Sequence, residues 1–288
     1  ALGVALCAAA TGQELLWQRV GVANDYAFTR PVVVLGDVNA DGVDDLLLVV
    51  ARLKWDGCGL ILEGQLWILS GRDGRTLSIR NEWGYNRPYY LIAAVGDMNG
   101  DGVPDYADSV IDIYNSPPFE LNFVEVRSGR DHSLIWQVVS GERDDGFGAR
   151  MVGNLDIDGD GRRDLVVGAP YWQLDPPGPR VGKVYAYDND GRLLYRVDGT
   201  DQLALGRHGY DEQGMGVVGD INGDRCDDYV LGGVDFVAGL GAAIVLSGRD
   251  GSVLHIGRSQ SWQEVIGWTT AGVGDMDGDG VPDFAGGS

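Results

Sequence analysis

Five short segments of this 288-residue chain place oxygen-bearing side chains at the same four positions, which we number 1, 3, 5 and 9 from the first Asp. We call the segments loop 1 (37–45), loop 2 (97–105), loop 3 (156–164), loop 4 (220–228) and loop 5 (275–283). Position 6 is glycine in four of them, which lets the backbone curl tightly. Carboxylate and amide oxygens on such a bend suit a hard divalent cation that takes six to eight oxygen ligands.

The spacing predicts up to five calcium sites, each with four side-chain ligands and the carbonyl oxygen of position 7. The predicted side-chain ligands are Asp37, Asn39, Asp41 and Asp45; Asp97, Asn99, Asp101 and Asp105; Asp156, Asp158, Asp160 and Asp164; Asp220, Asn222, Asp224 and Asp228; and Asp275, Asp277, Asp279 and Asp283. The predicted carbonyl ligands belong to Val43, Val103, Arg162, Cys226 and Val281. In loop 4, Arg225 replaces the glycine and adds a positive charge, so we expect the weakest binding there.

Two other interpretations of the loops are less consistent with the sequence. An EF-hand needs a bidentate Glu at position 12, where the five loops have Leu48, Asp108, Val167, Leu231 and Gly286. The flanking segments are also typical of strands and not of helices. Solvated acidic turns without metal remain the second alternative, although five copies in register argue against it.

The elements that must position these loops also repeat. The loop starts are separated by 60, 59, 64 and 55 residues, which indicates a repeat architecture. In each unit, one short apolar strand precedes the loop, a second follows it, and a third runs into an Asp- or Gly-rich turn before a fourth. Four strands per unit predict an all-β fold, a β-propeller of four-stranded antiparallel blades. The predicted repeats span about 21–82, 83–141, 142–200, 201–260 and 261–288, the last one incomplete.

Composition excludes several classes of partner and function. The formal charge of −21 argues against nucleic acid and anionic membranes, and five divalent ions would reduce it to −11. A hydrophobic content of 44% argues against a disordered acidic tail. The three cysteines are too few for a disulfide framework. None of the three histidines (His132, His208, His255) lies in a catalytic motif, so we expect a protein that is not an enzyme.

Residues 1–10 are apolar, rich in alanine and free of charge, which is typical of the end of a secretory signal peptide. The propeller would then span 11–288, and the protein would be secreted, periplasmic or held at the cell surface. The alternative is a strand of the fold that pairs with residues 14–20. No apolar run is long enough for a transmembrane helix.

The third unit carries Gly146-Phe147-Gly148 before its loop and Gly168-Ala169-Pro170 after it. With these residues and the acidic loops, the chain resembles the FG-GAP repeats of integrin α-subunit propellers and related bacterial extracellular proteins. The resemblance implies calcium loops between the first and second strands of a blade and a role in adhesion or ligand binding. Integrin propellers have seven blades, so the chain is expected to be a fragment of such a ring or, alternatively, a closed five-bladed one.

These observations favour a calcium-stabilised extracellular module that binds protein or glycan ligands without catalysis. The resemblance places recognition on the face opposite the calcium loops, where the irregular connections hold many aromatic residues. Those residues are Trp55, Trp83, Tyr85, Tyr89, Tyr90, Tyr114, Tyr171, Trp172, Tyr210 and Trp262. Two alternatives stay open, namely a lectin-like accessory domain of a secreted enzyme and a propeller polysaccharide lyase.

Overall fold

The computed structural model describes residues 3–4, 16–20, 25–55, 60–81, 90–110, 122–142, 145–174, 178–206, 214–261 and 266–287, and none of them is helical. In chain order the strands are β1 (Gly3–Val4), β2 (Arg19–Val20), β3 (Asp25–Gly36), β4 (Asp45–Trp55), β5 (Leu60–Leu69), β6 (Thr76–Asn81), β7 (Tyr90–Gly96), β8 (Asp105–Val110), β9 (Phe123–Arg127), β10 (Leu134–Val139), β11 (Arg150–Leu155), β12 (Asp164–Ala169), β13 (Lys183–Tyr187), β14 (Leu193–Asp198), β15 (Leu203–Leu205), β16 (Met215–Gly219), β17 (Asp228–Asp235), β18 (Leu240–Leu246), β19 (Val253–Arg258), β20 (Thr269–Gly274) and β21 (Asp283–Gly287).

The strands form antiparallel meanders that we call blades 1 to 5. Blade 1 contains β3–β6, blade 2 contains β7–β10, and blade 3 contains β11–β14, each in sequence order. Blade 4 contains β16–β19, with β15 paired to the far half of β17. Blade 5 contains β20 and β21. The predicted all-β class and the four-stranded antiparallel unit are therefore confirmed.

The first strands of successive blades lie side by side, in the order β3, β7, β11, β16 and β20. The outer strands β10 and β14 alternate between exposed and half-buried residues, whereas every residue of β12 is buried. This inside-to-outside gradient is that of a β-propeller, in which the blades radiate from a central wall of first strands.

The hydrophobic core lies between adjacent blades. Leu155 and Ile157 of blade 3 share one buried cluster with Tyr229 and Leu231 of blade 4. Val95 of blade 2 similarly shares a cluster with residues of blade 3. The facing surfaces of blades 1 to 4 are therefore removed from water by their neighbours, and this burial is the main favourable contribution to the fold.

Antiparallel pairing fixes which loops share an end of the blade. The acidic loop joins the first and second strands, and the Asp- or Gly-rich turn joins the third and fourth strands, so both lie at the same end. The connections between the second and third strands, and those between blades, lie at the opposite end. The topology thus collects all five acidic loops on one face, which we call the loop face.

Trp17 packs against a buried hydrophobic cluster of blade 1. The indole Nε1 of Trp17 donates to the carbonyl of Gly71 at 2.8 Å, and its ring covers Gly74, which has φ of +69° and no room for a Cβ. Trp136 makes the same pair of contacts with blade 3, donating to the Asn189 carbonyl at 2.8 Å.

The sequence left two interpretations of residues 1–10, a signal peptide and a strand. Gly3–Val4 pairs with Arg19–Val20, which is the kind of pairing that the strand interpretation of residues 1–10 expects. Most of residues 1–15 lie outside the described residues, so the signal-peptide interpretation stays a prediction. The described part of the chain contains no helix with the length and hydropathy needed to span a lipid bilayer.

Candidate metal centres

Each acidic loop is wound around its position-1 carboxylate. In loop 3, Asp156 Oδ1 accepts the backbone N–H groups of Gly159 at 2.8 Å and Asp160 at 3.1 Å, and Oδ2 accepts that of Gly161 at 2.8 Å. Loops 2, 4 and 5 repeat all three bonds, and loop 1 repeats the last two. The shared sequence pattern therefore produces one shared backbone conformation.

The carboxylates of positions 3 and 5 each support the next part of the loop. Asp158 Oδ1 accepts the N–H of Asp160 at 3.1 Å, and Asp160 Oδ1 accepts that of Arg162 at 2.8 Å. These bonds bring ligand oxygens of Asp156, Asp158 and Asp160 within 4.8 Å of one another. In loop 5 the same holds for Asp275, Asp277 and Asp283.

This separation fits a calcium ion. Calcium–oxygen distances of about 2.4 Å allow two ligands of one ion to lie up to about 5 Å apart. The donor set is all oxygen, which calcium prefers. The structure thus brings together three carboxylates in loop 3 and three in loop 5, and it arranges the equivalent residues of loops 1, 2 and 4 on the same backbone.

The position-9 aspartate connects the loop to the rest of its blade. Its side chain is almost wholly buried in blades 1 to 4, and its Oδ2 accepts the N–H of position 2 at 2.8–2.9 Å in all five loops. In blades 1, 2 and 4, Oδ1 also accepts the N–H of the first glycine of the turn, namely Gly71, Gly129 or Gly248, at 3.0–3.1 Å. One carboxylate therefore holds the loop and the turn together.

Burial raises the pKa of the position-9 carboxyls of Asp105, Asp164 and Asp228 because it removes the water that would stabilise their charge. Asp105, which accepts three backbone N–H groups, has a pKa raised to about 6. Asp164 accepts one among the described residues, that of Ile157, and burial raises its pKa to about 7. Asp164 has fewer N–H donors to stabilise its ionised form, and the charges of Asp158, Asp156 and Asp160 raise its pKa further.

The turn between the third and fourth strands contributes an arginine that was not predicted as part of the site. Arg130 Nε lies 3.1 Å from Asp101 Oδ2, and its Nη2 donates to the Asp101 carbonyl at 2.9 Å. Arg72 and Arg249 make the equivalent contacts with Asp41 and Asp224. The signal that could have revealed this role is the recurrence of arginine at the second turn position in three units.

Neighbouring loops also touch each other on the loop face. Asp227, at position 8 of loop 4, donates its N–H to the Asp156 carbonyl at 2.7 Å, and its carboxylate accepts the Asp156 N–H at 2.9 Å. Two prolines at position 8 make similar contacts with the loop before their own. Pro104 of loop 2 packs against Gly36, just before loop 1, and Pro282 of loop 5 packs against Gly219, just before loop 4. The loops thus form a continuous series and are not isolated bends.

Two loops contain a non-glycine residue with a left-handed backbone. Arg225 has φ of +71° at position 6 of loop 4, and Ala40 has φ of +59° at position 4 of loop 1. The Arg225 N–H still donates to Asp220 Oδ2 at 2.8 Å, so the loop keeps its winding at the cost of backbone strain.

Replacing Arg225 with Gly is expected to raise the free energy of unfolding by about 1 kcal/mol, because glycine adopts positive φ without a Cβ clash. It should also strengthen calcium binding by loop 4, since a nearby positive charge is removed. Ala40→Gly is the matched variant, because it relieves strain without changing charge. Denaturant unfolding and calorimetric calcium titration of both variants test this prediction. Equal calcium affinities for Arg225→Gly and the wild type would contradict the charge effect.

Of the ten aromatic residues expected at the opposite face, Tyr171 and Trp172 have described side chains, and both are half-buried. The guanidinium of Arg180 lies 5.6 Å from the Tyr171 ring centroid, and the ammonium of Lys183 lies 3.9 Å from the Trp172 ring centroid. The side chains of the other eight lie outside the described residues. Cys226 is a buried free thiol.

Fold and loops together define the class of this protein, a β-propeller whose blades each carry an acidic loop. Comparison with known proteins agrees, because residues 152–187 match the family model of the FG-GAP repeat. This segment is therefore similar to an FG-GAP repeat, the repeat found in integrin α-like propellers. The matched segment contains loop 3 and the Gly168-Ala169-Pro170 motif.

Two curated relatives carry the likeness to integrins. The chain is 31% identical to Integrin alpha-PS2 of Drosophila melanogaster over 147 residues, which cover 45% of this chain and 10% of that protein. It is 27% identical to Integrin alpha-8 of Gallus gallus over 213 residues, which cover 68% of this chain and 19% of that protein. The chain thus spans less than a fifth of the length of these relatives.

Among solved structures, a rhamnogalacturonan lyase of Bacillus licheniformis aligns with a TM-score of 0.48 at 14% identity, covering 88% of this chain and 54% of that one.

Proposed function

We propose that the chain is a calcium-stabilised extracellular β-propeller that binds protein or glycan ligands and has no catalytic activity. The observation that carries this proposal is the common winding of all five loops around an acidic centre on one face. In this arrangement, the acidic residues of the loops have a structural role and hold the blades in place. It leaves the opposite face for recognition, in line with the similarity to integrin α-subunits.

In each loop the side chains of positions 1, 3, 5 and 9 would hold the ion, with the position-7 carbonyl as a fifth protein ligand. The calcium supplies positive charge to carboxylates that otherwise repel one another. The position-9 carboxylate would extend the stabilising effect of the ion from the loop to the rest of the blade, because it accepts hydrogen bonds from both the loop and the turn of the same blade. Up to five ions are proposed, with loop 4 the weakest site because of Arg225.

Recognition is proposed at the end opposite the loop face, where the connection between β12 and β13 presents Tyr171, Trp172 and Arg180. Aromatic rings next to cationic groups suit acidic glycans and protein surfaces, because they offer apolar area and charge together. Lys183 is nearly buried between Trp172 and the carboxylates of Glu142 and Asp198, which keeps the Trp172 ring in place. Secretion, or attachment at a cell surface, would expose this face to such ligands.

The described histidines have structural surroundings, which supports a role without catalysis. His132 Nδ1 lies 3.0 Å from the Tyr106 hydroxyl, and its ring meets the Tyr106 ring edge to face. The His255 ring lies 5.5 Å from that of Phe284. Each ring packs against an aromatic neighbour in the fold.

The test is binding of the calcium-loaded chain to a panel of purified extracellular matrix proteins and acidic polysaccharides, measured by biolayer interferometry. For a ligand that binds, Trp172→Ala should weaken affinity about 10-fold or more, as expected for a central aromatic contact. Met276→Ala, which removes an exposed apolar side chain on the loop face, is the control and should change nothing. Cleavage of a polysaccharide would instead support the lyase alternative, and loss of binding in Met276→Ala alone would place recognition on the loop face.

A further inference from the structure

We infer that the arginine at the second position of the turn in blades 1, 2 and 4 is an internal cation that substitutes for part of the calcium charge. Loops 1 to 4 would then fall into two classes. Loops 1, 2 and 4 are clamped by Arg72, Arg130 and Arg249, and loop 3 is unclamped. This inference rests on the proposed calcium role and adds that, among these four loops, the need for calcium is greatest in loop 3.

The clamping arginine contacts both a backbone carbonyl and a carboxylate of the loop. The guanidinium of Arg130 meets the carbonyl of Asp101 and its Oδ2 together, while Asp101 Oδ1 accepts the N–H of Val103 at 2.9 Å. Both oxygens and the carbonyl of position 5 thus have donors without any ion. The hydrogen bond and charge of Arg130 accordingly lower the pKa of Asp101.

The presence of the clamp follows the composition of the loop. All three clamped loops have Asn at position 3, namely Asn39, Asn99 and Asn222, whereas the unclamped loop 3 has Asp158. A clamped loop therefore combines three carboxylates with one arginine, and one calcium ion would make that set neutral. An unclamped loop has four carboxylates, whose mutual repulsion is much stronger without a cation.

Blade 3 shows how the clamp is lost. Its turn is one residue shorter, because the Gly191 N–H bonds to the carbonyl three residues before it, at Asp188, and the corresponding bond in blade 2 spans four residues. The ion pair between loop and turn also has its charges exchanged. The loop supplies the arginine and the turn supplies the carboxylate, with Arg162 Nη1 3.7 Å from Asp190 Oδ2. Within the described residues, no Lys or Arg pairs with a ligand carboxylate of loop 3.

The arginine therefore has two opposite effects. It stabilises the metal-free loop, because it neutralises position 5 and bonds the backbone. It also weakens calcium binding, because it places a positive charge beside the ion, at a distance where removal of that charge should raise affinity about 3- to 10-fold.

Arg130→Gln in the whole chain tests the inference, with Arg75→Gln as the matched control. Arg75 is an exposed arginine of the blade 1 turn that pairs weakly with Asp73 and contacts no ligand residue, so its loss changes the net charge equally. Melting temperatures are measured in EDTA and in millimolar calcium, and calcium binding is measured by calorimetry. Arg130→Gln should lower the melting temperature in EDTA and leave it nearly unchanged in calcium, so that the calcium-induced shift grows. Arg75→Gln should leave the shift at the wild-type value.

The outcomes separate this inference from the proposed function. The wild-type shift alone reports whether calcium stabilises the chain. The inference is overturned when Arg130→Gln lowers both melting temperatures equally, or when its calcium-induced shift matches that of Arg75→Gln. Arg249→Gln repeats the test in blade 4, and Arg130→Lys, which keeps the charge but loses the fork of donors, should give an intermediate shift.

Discussion

Excess EDTA is expected to lower the melting temperature of the chain by about 4–28 °C at mildly alkaline pH, relative to millimolar calcium. Sites with dissociation constants of about 0.1–1 mM each contribute about 0.4–1.4 kcal/mol in millimolar calcium. Five such sites give about 2–7 kcal/mol, and each kcal/mol moves the melting temperature by about 2–4 °C in a protein of this size. Differential scanning fluorimetry with and without EDTA measures the effect, and re-addition of calcium should restore the higher value.

The same experiment at mildly acidic pH provides a control for the electrostatic cause. Burial raises the pKa values of Asp105, Asp164 and Asp228 in the folded state to about 6–7, so the fold binds protons there more readily than the unfolded chain does. Lowering the pH through this range therefore stabilises the metal-free fold with respect to these groups and opposes calcium binding. His132, whose pKa burial lowers, acts in the other direction. We expect the calcium effect to shrink; an unchanged melt in EDTA at alkaline pH would contradict structural ions altogether.

Asp45→Ala is expected to cost about 3–5 kcal/mol of unfolding free energy, because it removes a buried carboxylate and leaves partly buried N–H donors without their acceptor. Asp45 is fully buried, and its carboxylate accepts the N–H groups of Val38 at 2.9 Å and Gly71 at 3.0 Å. The substitution also removes a proposed calcium ligand of loop 1. Chemical denaturation measures the stability, and calorimetry should show one calcium ion fewer.

Asp44→Ala is the matched control for this prediction. Asp44 is the adjacent residue in sequence, carries the same charge and is exposed to solvent. Its removal should change stability by no more than about 0.5 kcal/mol, as for most exposed substitutions. Equal effects of the two variants would mean that the loss of charge, and not the buried hydrogen bonds, determines stability.

The loops and blades could be predicted from the sequence because their determinants are local. Asp and Gly at fixed spacing set the winding of loop 3 within nine residues, and a period near 60 implies one four-stranded unit per loop. The buried second strands also follow from short apolar runs such as Leu165–Gly168. All of these signals lie within single turns or strands.

The remaining features depend on contacts between residues far apart in sequence. Arg130 meets Asp101 from 29 residues away, and Trp17 meets Gly71 from 54 residues away. Arginine in a turn is ordinarily exposed, and a single tryptophan near the chain start gives no indication of which blade it covers. Only the folded arrangement of the blades shows that these residues have partners.

The contacts between successive loops have a consequence for how ions would be taken up. Because position 8 of one loop packs on the start of the loop before it, as Asp227 does on Asp156, ordering one loop favours ordering of the next. Such nearest-neighbour coupling is the behaviour of a one-dimensional array. Occupancy should therefore rise with calcium concentration more steeply than for independent sites, with a Hill coefficient above one.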